Sequence, residues 1–436
     1  MQDKKIIYQV LPRLWGSGRF SDWHEPAFAY LRTLGVDYVW FTGIPRHATG
    51  KDFVKGNPGC PYAVTDWFDV NPYLAVNPGS RIDEFKAMVA RAHASGLKCL
   101  IDFIPNHVAA DYEGPLPIFS WHDADWTDTR KVNWNDPRTP LVMLDILRFW
   151  AAAGVDGFRC DMVELVPSDA LGHVIKSLRP EFPGLMFVAE VYGRENYSRY
   201  LDAGFDLLYD NSGAYDILRG VMQYGMSARE LTWNWQFLGD RQPRMLNFLE
   251  NHDEQRIASR TFAGNPDSAW AAIAFALLFN TASFMLYAGQ EVGEDASESD
   301  NGRTSIFDWS NPEGLSCLSQ FIYKGESLPP VRNEVLSSYR ELLTIARRPV
   351  FRNGATWDLC YCNAGTEGFD PDRHFVFARY DDEEAWLVLC NFGSTRAGIA
   401  ISFPDEFRNA AGLVSSGSSI EAPAHGYALM KFNKKV

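Results

Sequence analysis

The 436-residue sequence lacks several features that would place it at once in a particular class of protein. It has no apolar run of about 18 residues, the minimum for a membrane-spanning helix, so no membrane span is expected. Its formal net charge is −14, which argues against nucleic acid or an anionic membrane surface as the main partner. The N-terminal stretch lacks the apolar region and cleavage site of a signal peptide. This favours the cytoplasm, although a trimmed secreted or periplasmic form would look the same.

Cysteine is scarce and scattered along the chain. There are seven cysteines, an odd number without the regular spacing of a disulfide framework, which favours reduced thiols. Cys360 and Cys362 lie on one side of a predicted strand, but no second Cys/His pair completes a zinc site. The absence of an HxH or HExxH motif disfavours a metal-dependent hydrolase. We therefore expect neither a metal ion nor a cofactor.

Short, almost continuously apolar segments alternate with amphipathic segments through most of the chain. Such apolar runs are typical of strands that are buried on both faces. The predicted strands are 6–11, 37–41, 98–103, 155–161, 185–190, 205–210, 244–249 and 283–287. Periodic apolar residues between them predict helices, which include 81–96, 140–154 and 267–282.

Strands that alternate with helices in this way predict an α/β fold, a (β/α)8 or TIM barrel. A doubly wound open sheet is the main alternative, but no GxGxxG motif follows the first strand. We predict a catalytic barrel over 1–349, with a short inserted loop domain after strand three at 108–139. Antiparallel strand patterns then predict a C-terminal β-sandwich domain over 350–436.

Polar residues collect where four of the predicted strands end, and a barrel carries its active site at those ends. They are Asp102, Asn106, His107, Arg159, Asp161, Glu190, Asn251, His252 and Asp253. Any one of them alone is as easily a helix cap or an ion-pair partner, but four adjacent strand ends with Asp, Glu and His favour a reaction centre. Paired carboxylates suit glycoside hydrolysis, in which one is the nucleophile or base and the other the acid.

Four short motifs in this chain resemble those of the α-amylase family of glycoside hydrolases. They read DFIPNH, GFRCD, FVAEVYG and FLENHD, and they occur in the order and on the strands expected for that family. The stretches GCPYAVTDWFDVNPYL and GVDYVWFTGI resemble further parts of the family. The resemblance covers about residues 5–345 and implies a retaining mechanism on a barrel with a C-terminal β domain.

The resemblance also implies a role for each matching residue. Asp161 would be the nucleophile that forms a covalent glycosyl-enzyme. Glu190 would be the general acid and then the base, and Asp253 would bind sugar hydroxyls and help distort the ring. The implied substrate-binding residues are Tyr62, His107, Arg159 and His252.

Among these substrate-binding residues, Tyr62 would stack on the sugar, the two histidines would bind its hydroxyls, and Arg159 would keep Asp161 ionised. Cys160 lies between Arg159 and Asp161, so strand alternation should point its side chain outward, toward a helix. We expect Cys160 to be part of the core and not of the chemistry.

Two departures from the family pattern bear on the substrate and on metal binding. Glu164 and Leu165 stand where many α-amylases carry a Lys-His pair that helps to bind leaving-group sugars, which puts the usual starch subsites in doubt. The first βα loop, RLWGSGRFSDW, lacks an Asp-rich calcium loop, and Lys131 stands where calcium-dependent relatives carry an Asp. We therefore expect no calcium there, with Lys131 donating to the Asn106 side-chain oxygen instead.

The sequence thus predicts a retaining α-glycosidase acting on α-glucans or malto-oligosaccharides, with an open or shallow leaving-group side and a preference for short chains. A transglycosylase or isomerase with sucrose-, trehalose- or isomaltose-type substrates is the alternative, because the acceptor decides the outcome. A catalytically silent sugar-binding or partner subunit is disfavoured, because all three carboxylates are present. The oligomeric state is left open. Candidate stacking platforms for sugars are Trp121, Trp126, Trp233 and Trp235.

Overall fold

The computed structural model describes residues 3–121, 126–432 and 434. In chain order, the strands are β1 (Ile6–Val10), β2 (Tyr38–Phe41), β3 (Pro45–His47), β4 (Val64–Val70), β5 (Lys98–Phe103), β6 (His107–Ala109), β7 (Thr129–Lys131), β8 (Gly157–Cys160), β9 (Met186–Ala189), β10 (Leu207–Tyr209), β11 (Met245–Asn247), β12 (Ser283–Tyr287), β13 (Ala355–Asp358), β14 (His374–Tyr380), β15 (Ala385–Asn391), β16 (Ala397–Ser402), β17 (Gly417–Ala422) and β18 (Tyr427–Phe432). The α-helices are α1 (Glu25–Thr33), α2 (Arg81–Ala94), α3 (Thr139–Ala152), α4 (Ser168–Leu178), α5 (Tyr197–Ala203), α6 (Asp216–Gln223), α7 (Arg229–Leu238), α8 (Trp270–Leu278), α9 (Glu313–Lys324), α10 (Pro330–Ala346), α11 (Pro349–Arg352), α12 (Cys360–Asn363) and α13 (Asp405–Ala411).

Eight parallel strands close into a barrel, in the order β1-β2-β5-β8-β9-β10-β11-β12 and back to β1. Each of them falls within one of the apolar segments predicted to be a strand, and the whole of β1, β2, β8, β9 and β12 is buried. The apolar runs therefore reflect burial on both faces. The predicted TIM barrel is confirmed, and the closed sheet excludes the doubly wound alternative.

Amphipathic helices pack against the outside of the barrel, whereas α8 is buried on all sides from Ala271 to Leu278. Helix α3 is typical: Pro140 lies in its first turn, and it buries Met143, Ile146, Leu147 and Trp150 at helical spacing. Gly154, just after its end, takes a positive φ of 102° that other residues rarely adopt, which allows the chain to turn into β8. No helix in the described ranges has both the length and the apolar character needed to cross a bilayer.

Two hairpins extend the barrel at the carboxyl ends of its second and third strands, and neither is predicted by the sequence patterns. In the connection after β2, β3 pairs with β4. In the connection after β5, β6 pairs with β7, so that His107 lies opposite Lys131. The segment expected to be a loop domain at 108–139 thus contains β7, whose backbone pairs with β6, the short strand that follows β5.

The C-terminal region is antiparallel, as predicted, with a four-stranded sheet β13-β14-β15-β18 and a pair β16-β17. Strand β14 shows why the C-terminal sheet forms. Its Phe375 and Phe377 join the core around the barrel, while Val376 and Ala378, on the other face, belong to a separate core within the C-terminal region. The strand predicted around Cys360 and Cys362 is wrong, because these residues form α12. The domain boundary at 349/350 stays a prediction, and α11 lies across it.

Candidate active site

Arg159 lies at the centre of a carboxylate cluster at the end of β8, and its side chain is fully buried. Its Nη1 is 2.5 Å from Asp161 Oδ1 and 3.6 Å from Asp102 Oδ1, and its Nη2 is 2.8 Å from Glu190 Oε1. The strand register explains the convergence, since Arg159 pairs with Asp102 of β5 on one side and Val188 of β9 on the other. The aromatic rings whose centroids lie 5.3 to 5.6 Å from its guanidinium carbon belong to Trp40, Tyr62 and Tyr209.

Tyr62 links this cluster to the connection that follows β11. Its hydroxyl donates to Asp102 Oδ1 at 3.1 Å and lies 2.6 Å from His252 Nε2. Its ring stacks on that of His252, with centroids 5.1 Å apart. His252 Nε2 is also 3.0 Å from Asp253 Oδ2, and Gln9 of β1 reaches His252 Nδ1 at 2.7 Å. Residues from distant parts of the chain therefore fix the position of one imidazole ring.

Burial raises the pKa of both carboxyl groups that contact Arg159, to about 6 for Asp161 and about 7 for Glu190, although Arg159 opposes the rise. The negative charge of Asp253 adds to the rise at both groups. For Asp253 itself, burial would raise the pKa, but His252 outweighs it and lowers the pKa to about 2. A carboxyl group that holds a proton near neutral pH thus lies beside one that is mostly ionised, the pairing that acid-assisted displacement requires.

The cluster opens into a cavity of about 280 Å³. Of the residues implied by the sequence motifs, those that line it are Tyr62, His107, Asp161, Glu190, His252 and Asp253. Arg159 lies beneath them. Lys55 and Asp128 also line the cavity, and Lys55 Nζ lies 3.1 Å from Asp128 Oδ1. The structure therefore brings the sequence-predicted residues together around one space.

Among the four candidate stacking tryptophans, Trp126 lines the cavity, and its ring centroid lies 5.6 Å from that of His107. Trp235 packs against Phe279 instead, at 5.9 Å. Trp121 and Trp233 have exposed side chains and do not line the cavity. Cys160 is fully buried within the main core, as expected, and burial raises the pKa of its thiol.

The predicted contact between Lys131 and Asn106 is wrong. Asn106 Oδ1 is buried and accepts no hydrogen bond from the described residues, while Lys131 Nζ lies 5.9 Å from the centre of the Trp121 ring. The backbone holds the inserted segment here, because Val132 N donates to Asn106 O at 2.9 Å. Calcium takes roughly six to eight oxygen ligands. Within the described ranges, no group of three His, Cys, Asp or Glu ligand atoms surrounds Asn106. The expected absence of calcium stays a prediction.

A second buried ion pair was missed in the sequence, although Glu250 immediately precedes a recognised motif residue. Arg256 Nη1 lies 2.8 Å from Glu250 Oε1, and both side chains are almost completely buried. Glu250 Oε2 accepts from Ile257 N at 2.6 Å, and Arg256 Nε donates to Thr304 Oγ1 at 2.9 Å. This pair closes the loop that carries His252 and Asp253. The available sequence signal was Glu250 itself, a charged residue directly after the apolar residues at the end of a predicted strand, which indicates a buried partner of opposite charge.

Comparison with known proteins finds relatives among α-amylases and trehalose synthases. A family model described as the α-amylase catalytic domain matches residues 27–114. The chain is 26% identical over 447 residues to the α-amylase MalA of Haloarcula japonica, an alignment that covers 94% of this chain and 60% of MalA. It is 26% identical over 250 residues to the trehalose synthase/amylase TreS of Mycobacterium tuberculosis, covering 42% of this chain and 39% of TreS. The chain thus spans less than two thirds of the length of either relative.

A solved structure shares the fold over nearly the whole chain. The maltogenic α-amylase AmyB from Thermotoga neapolitana matches with a TM-score of 0.70, covering 99% of this chain and 97% of that one at 23% sequence identity. The barrel and the C-terminal antiparallel region therefore occur together in both proteins.

Proposed function

We infer that the chain is a member of the α-amylase family, and on that premise we propose that it is a retaining α-glycosidase acting on short α-glucans or malto-oligosaccharides. One observation carries the proposal: Asp161 and Glu190 contact the same buried guanidinium and line one cavity, and burial raises the pKa of both carboxyl groups, to about 6 for Asp161 and about 7 for Glu190. Two carboxyl groups in different protonation states beside one cavity are what double displacement at a sugar carbon needs.

In the proposed mechanism, an ionised Asp161 oxygen attacks the anomeric carbon while Glu190 gives its proton to the departing glycosidic oxygen. The carbon–oxygen bond breaks as the bond to Asp161 forms. Glu190 then takes a proton from water, the water oxygen attacks the same carbon, and Asp161 leaves with its electron pair. Two inversions give a product of retained configuration.

The surrounding residues have supporting roles in this proposal. Arg159 favours the ionised form of Asp161, and Asp102 is a further carboxyl group near its guanidinium. Asp253 is ionised and lines the cavity, so it accepts hydrogen bonds from sugar hydroxyls. His107 and His252 line the same cavity and bind further hydroxyls. Tyr62, whose ring lies against His252, offers an apolar surface to the sugar.

The size of the cavity supports short substrates. Its volume of about 280 Å³ lies just below the usual range for ligand sites, about 300–1,000 Å³. We expect faster product release from maltoheptaose than from raw starch. The likeness to a protein named trehalose synthase/amylase keeps isomerisation or transglycosylation as the second candidate, since a sugar acceptor in place of water changes only the last step.

Product analysis tests the proposed activity. The protein is incubated in parallel with maltoheptaose, isomaltose, pullulan, trehalose and sucrose, and products are separated by chromatography. We expect short malto-oligosaccharides or glucose from maltoheptaose, formed first as the α-anomer in proton NMR spectra. Conversion of one disaccharide into another without net glucose release would establish the isomerase instead. No reaction with any α-glucoside, or a β-anomer as first product, would refute the proposal.

The pH dependence gives a second test. Because Asp161 must be ionised and Glu190 protonated, a plot of kcat/KM against pH should be a narrow bell with its maximum between pH 6 and 7. Its two apparent pKa values describe the coupled pair and not either residue alone. Asp253→Asn removes a charge that raises both pKa values, so the whole bell should move to lower pH in addition to losing height. Asp300→Asn, at a fully exposed position, is the control. An unmoved or upward-shifted bell in Asp253→Asn contradicts this electrostatic account.

A further inference from the structure

The carboxylate of Glu164 accepts hydrogen bonds from the connection that follows the neighbouring strand, β9. Glu164 lies in the short turn Val163–Leu165 after β8. Its Oε2 accepts from Tyr192 N at 2.8 Å, both of its oxygens lie 3.2 Å from Gly193 N, and its Oε1 accepts from Asn196 Nδ2 at 2.6 Å. The three donors belong to one turn, residues 192–196, which lies shortly after Glu190, the residue that follows β9.

Gly193 shows how closely this turn and the carboxylate fit. A Cβ atom added at Gly193 would lie 2.8 Å from Glu164 Oε1 and 2.7 Å from Asn196 Nδ2, closer than real Cβ contacts come. The backbone of Gly193 therefore lies so close to the Glu164 carboxylate that a side chain at position 193 would push them apart. A charged acceptor with several amide donors is the strong form of a hydrogen-bonded contact.

The same turn supplies a donor to the proposed general acid. Tyr192 OH donates to Glu190 Oε1 at 3.1 Å, and Met162 N donates to Glu190 Oε2 at 2.7 Å. Tyr192 also lines the cavity, and it is 43% exposed, so little packing holds its ring in place. Its orientation depends on its backbone, which Glu164 holds. Burial, with the charge of Glu190 added, raises the pKa of Tyr192, so its hydroxyl keeps its proton and remains a donor.

We propose that Glu164 is a positioning residue for the general acid: it fixes the turn 192–196 so that the Tyr192 hydroxyl is held against Glu190. The proposal rests on the proposed function, because it requires Glu190 to be the proton donor. A hydrogen bond to the ionised carboxylate stabilises that form and lowers the pKa of Glu190. Glu164 thereby helps to set the pH at which the acid loses its proton.

Tyr192→Phe tests the hydrogen bond from Tyr192 to Glu190, because it removes the hydroxyl and keeps the ring. With the donor removed, the basic limb of the kcat/KM profile should move upward by about one pH unit. Glu164→Gln keeps the size of the side chain but places an amide NH₂ against amide donors, which loosens the turn. It should move the basic limb in the same direction and lower kcat more than it raises KM, since the proton-transfer step is affected and sugar contacts are not.

A double-mutant cycle separates positioning from simple stabilisation. If Glu164 acts through Tyr192, then Glu164→Gln in the Tyr192→Phe background moves the basic limb no further. Glu195→Gln is the matched control: it removes a charge from the same turn at an exposed side chain, and its profile should match that of the unaltered protein. Melting temperatures of all variants are measured alongside, to show that each is folded.

Glu190→Gln, measured in the same series, distinguishes failure of this proposal from failure of the proposed function. If Glu190→Gln is inactive and Tyr192→Phe keeps the unaltered basic limb, only the positioning role is overturned. The same holds if Glu164→Gln lowers the melting temperature without moving the limb, or if its shift simply adds to that of Tyr192→Phe. If Glu190→Gln remains fully active, the proposed function itself fails.

Discussion

Asp161→Asn should lower kcat on maltotriose by about 10⁴-fold or more, since it removes the atom that forms the covalent intermediate. Glu190→Gln should lower it by about 10²- to 10⁴-fold, the usual contribution of a general acid or base. Both replacements are neutral and nearly isosteric. Arg159 keeps two of its three carboxylate neighbours in either variant, so neither variant should unfold.

The leaving group distinguishes the two roles. A 4-nitrophenyl α-glucoside releases a phenolate that needs little protonation, so bond cleavage in Glu190→Gln should suffer much less on this substrate than on maltotriose. A burst of 4-nitrophenol followed by slow turnover is expected, because the second step still lacks its base. Asp161→Asn should be equally inactive on both substrates, since good leaving groups do not replace a nucleophile.

Melting temperatures and the exposed-site variant Asp300→Asn serve as controls for folding and purity. Near-normal activity in folded Asp161→Asn would remove that residue from the nucleophile role. Equal losses on both substrates in Glu190→Gln would show that it does not protonate the leaving group.

The barrel was predictable because burial of a parallel strand on both faces leaves a direct trace in the sequence. The two hairpins left no such trace. Strand β7 is three residues long and reads TRK, and it is a strand only because its backbone pairs with β6. Its Lys131 was expected at Asn106, but the ammonium lies over the exposed ring of Trp121 instead. Contacts of a long, flexible cation depend on tertiary neighbours that sequence spacing does not specify.

The active site, like the fold, was predictable only in part. Residues at strand ends were predictable, because parallel strands place their carboxyl ends on one rim. The residues that support them were not predictable. Gln9 meets His252 from a distant strand, whereas Glu250 and Tyr192 have partners within their own connections, whose irregular backbone has no sequence period. Glu164 is instructive: the sequence marked it only as a departure from a family pattern, and the structure shows a carboxylate that holds the next connection. Cys360 was placed in a strand by its apolar neighbours, yet Asp358 Oδ1 accepts from its backbone N–H at 2.7 Å and a helical turn begins there.

The second large effect concerns stability and the buried pair Glu250–Arg256. Glu250→Ala should reduce the free energy of unfolding by about 3–5 kcal/mol, because it leaves the Arg256 charge buried without its partner. It also removes the acceptor of Ile257 N. Burial raises the pKa of Glu250 to about 7, although Arg256 opposes the rise, so the experiment belongs at pH 8, where the pair is mostly ionised.

The matched control is the exposed pair Arg148–Glu181, whose Nε and Oε2 atoms are 2.8 Å apart, a distance similar to that in the buried pair. Glu181→Ala should change the free energy of unfolding by no more than about 1 kcal/mol, because water and salt screen an exposed pair. Urea denaturation of both variants measures the difference. A second comparison, Glu250→Gln, keeps an acceptor for Ile257 N and should fall between the two. Equal losses in Glu250→Ala and Glu181→Ala would mean that water reaches Arg256 when Glu250 is removed, and that the pair does not hold the loop bearing His252 and Asp253.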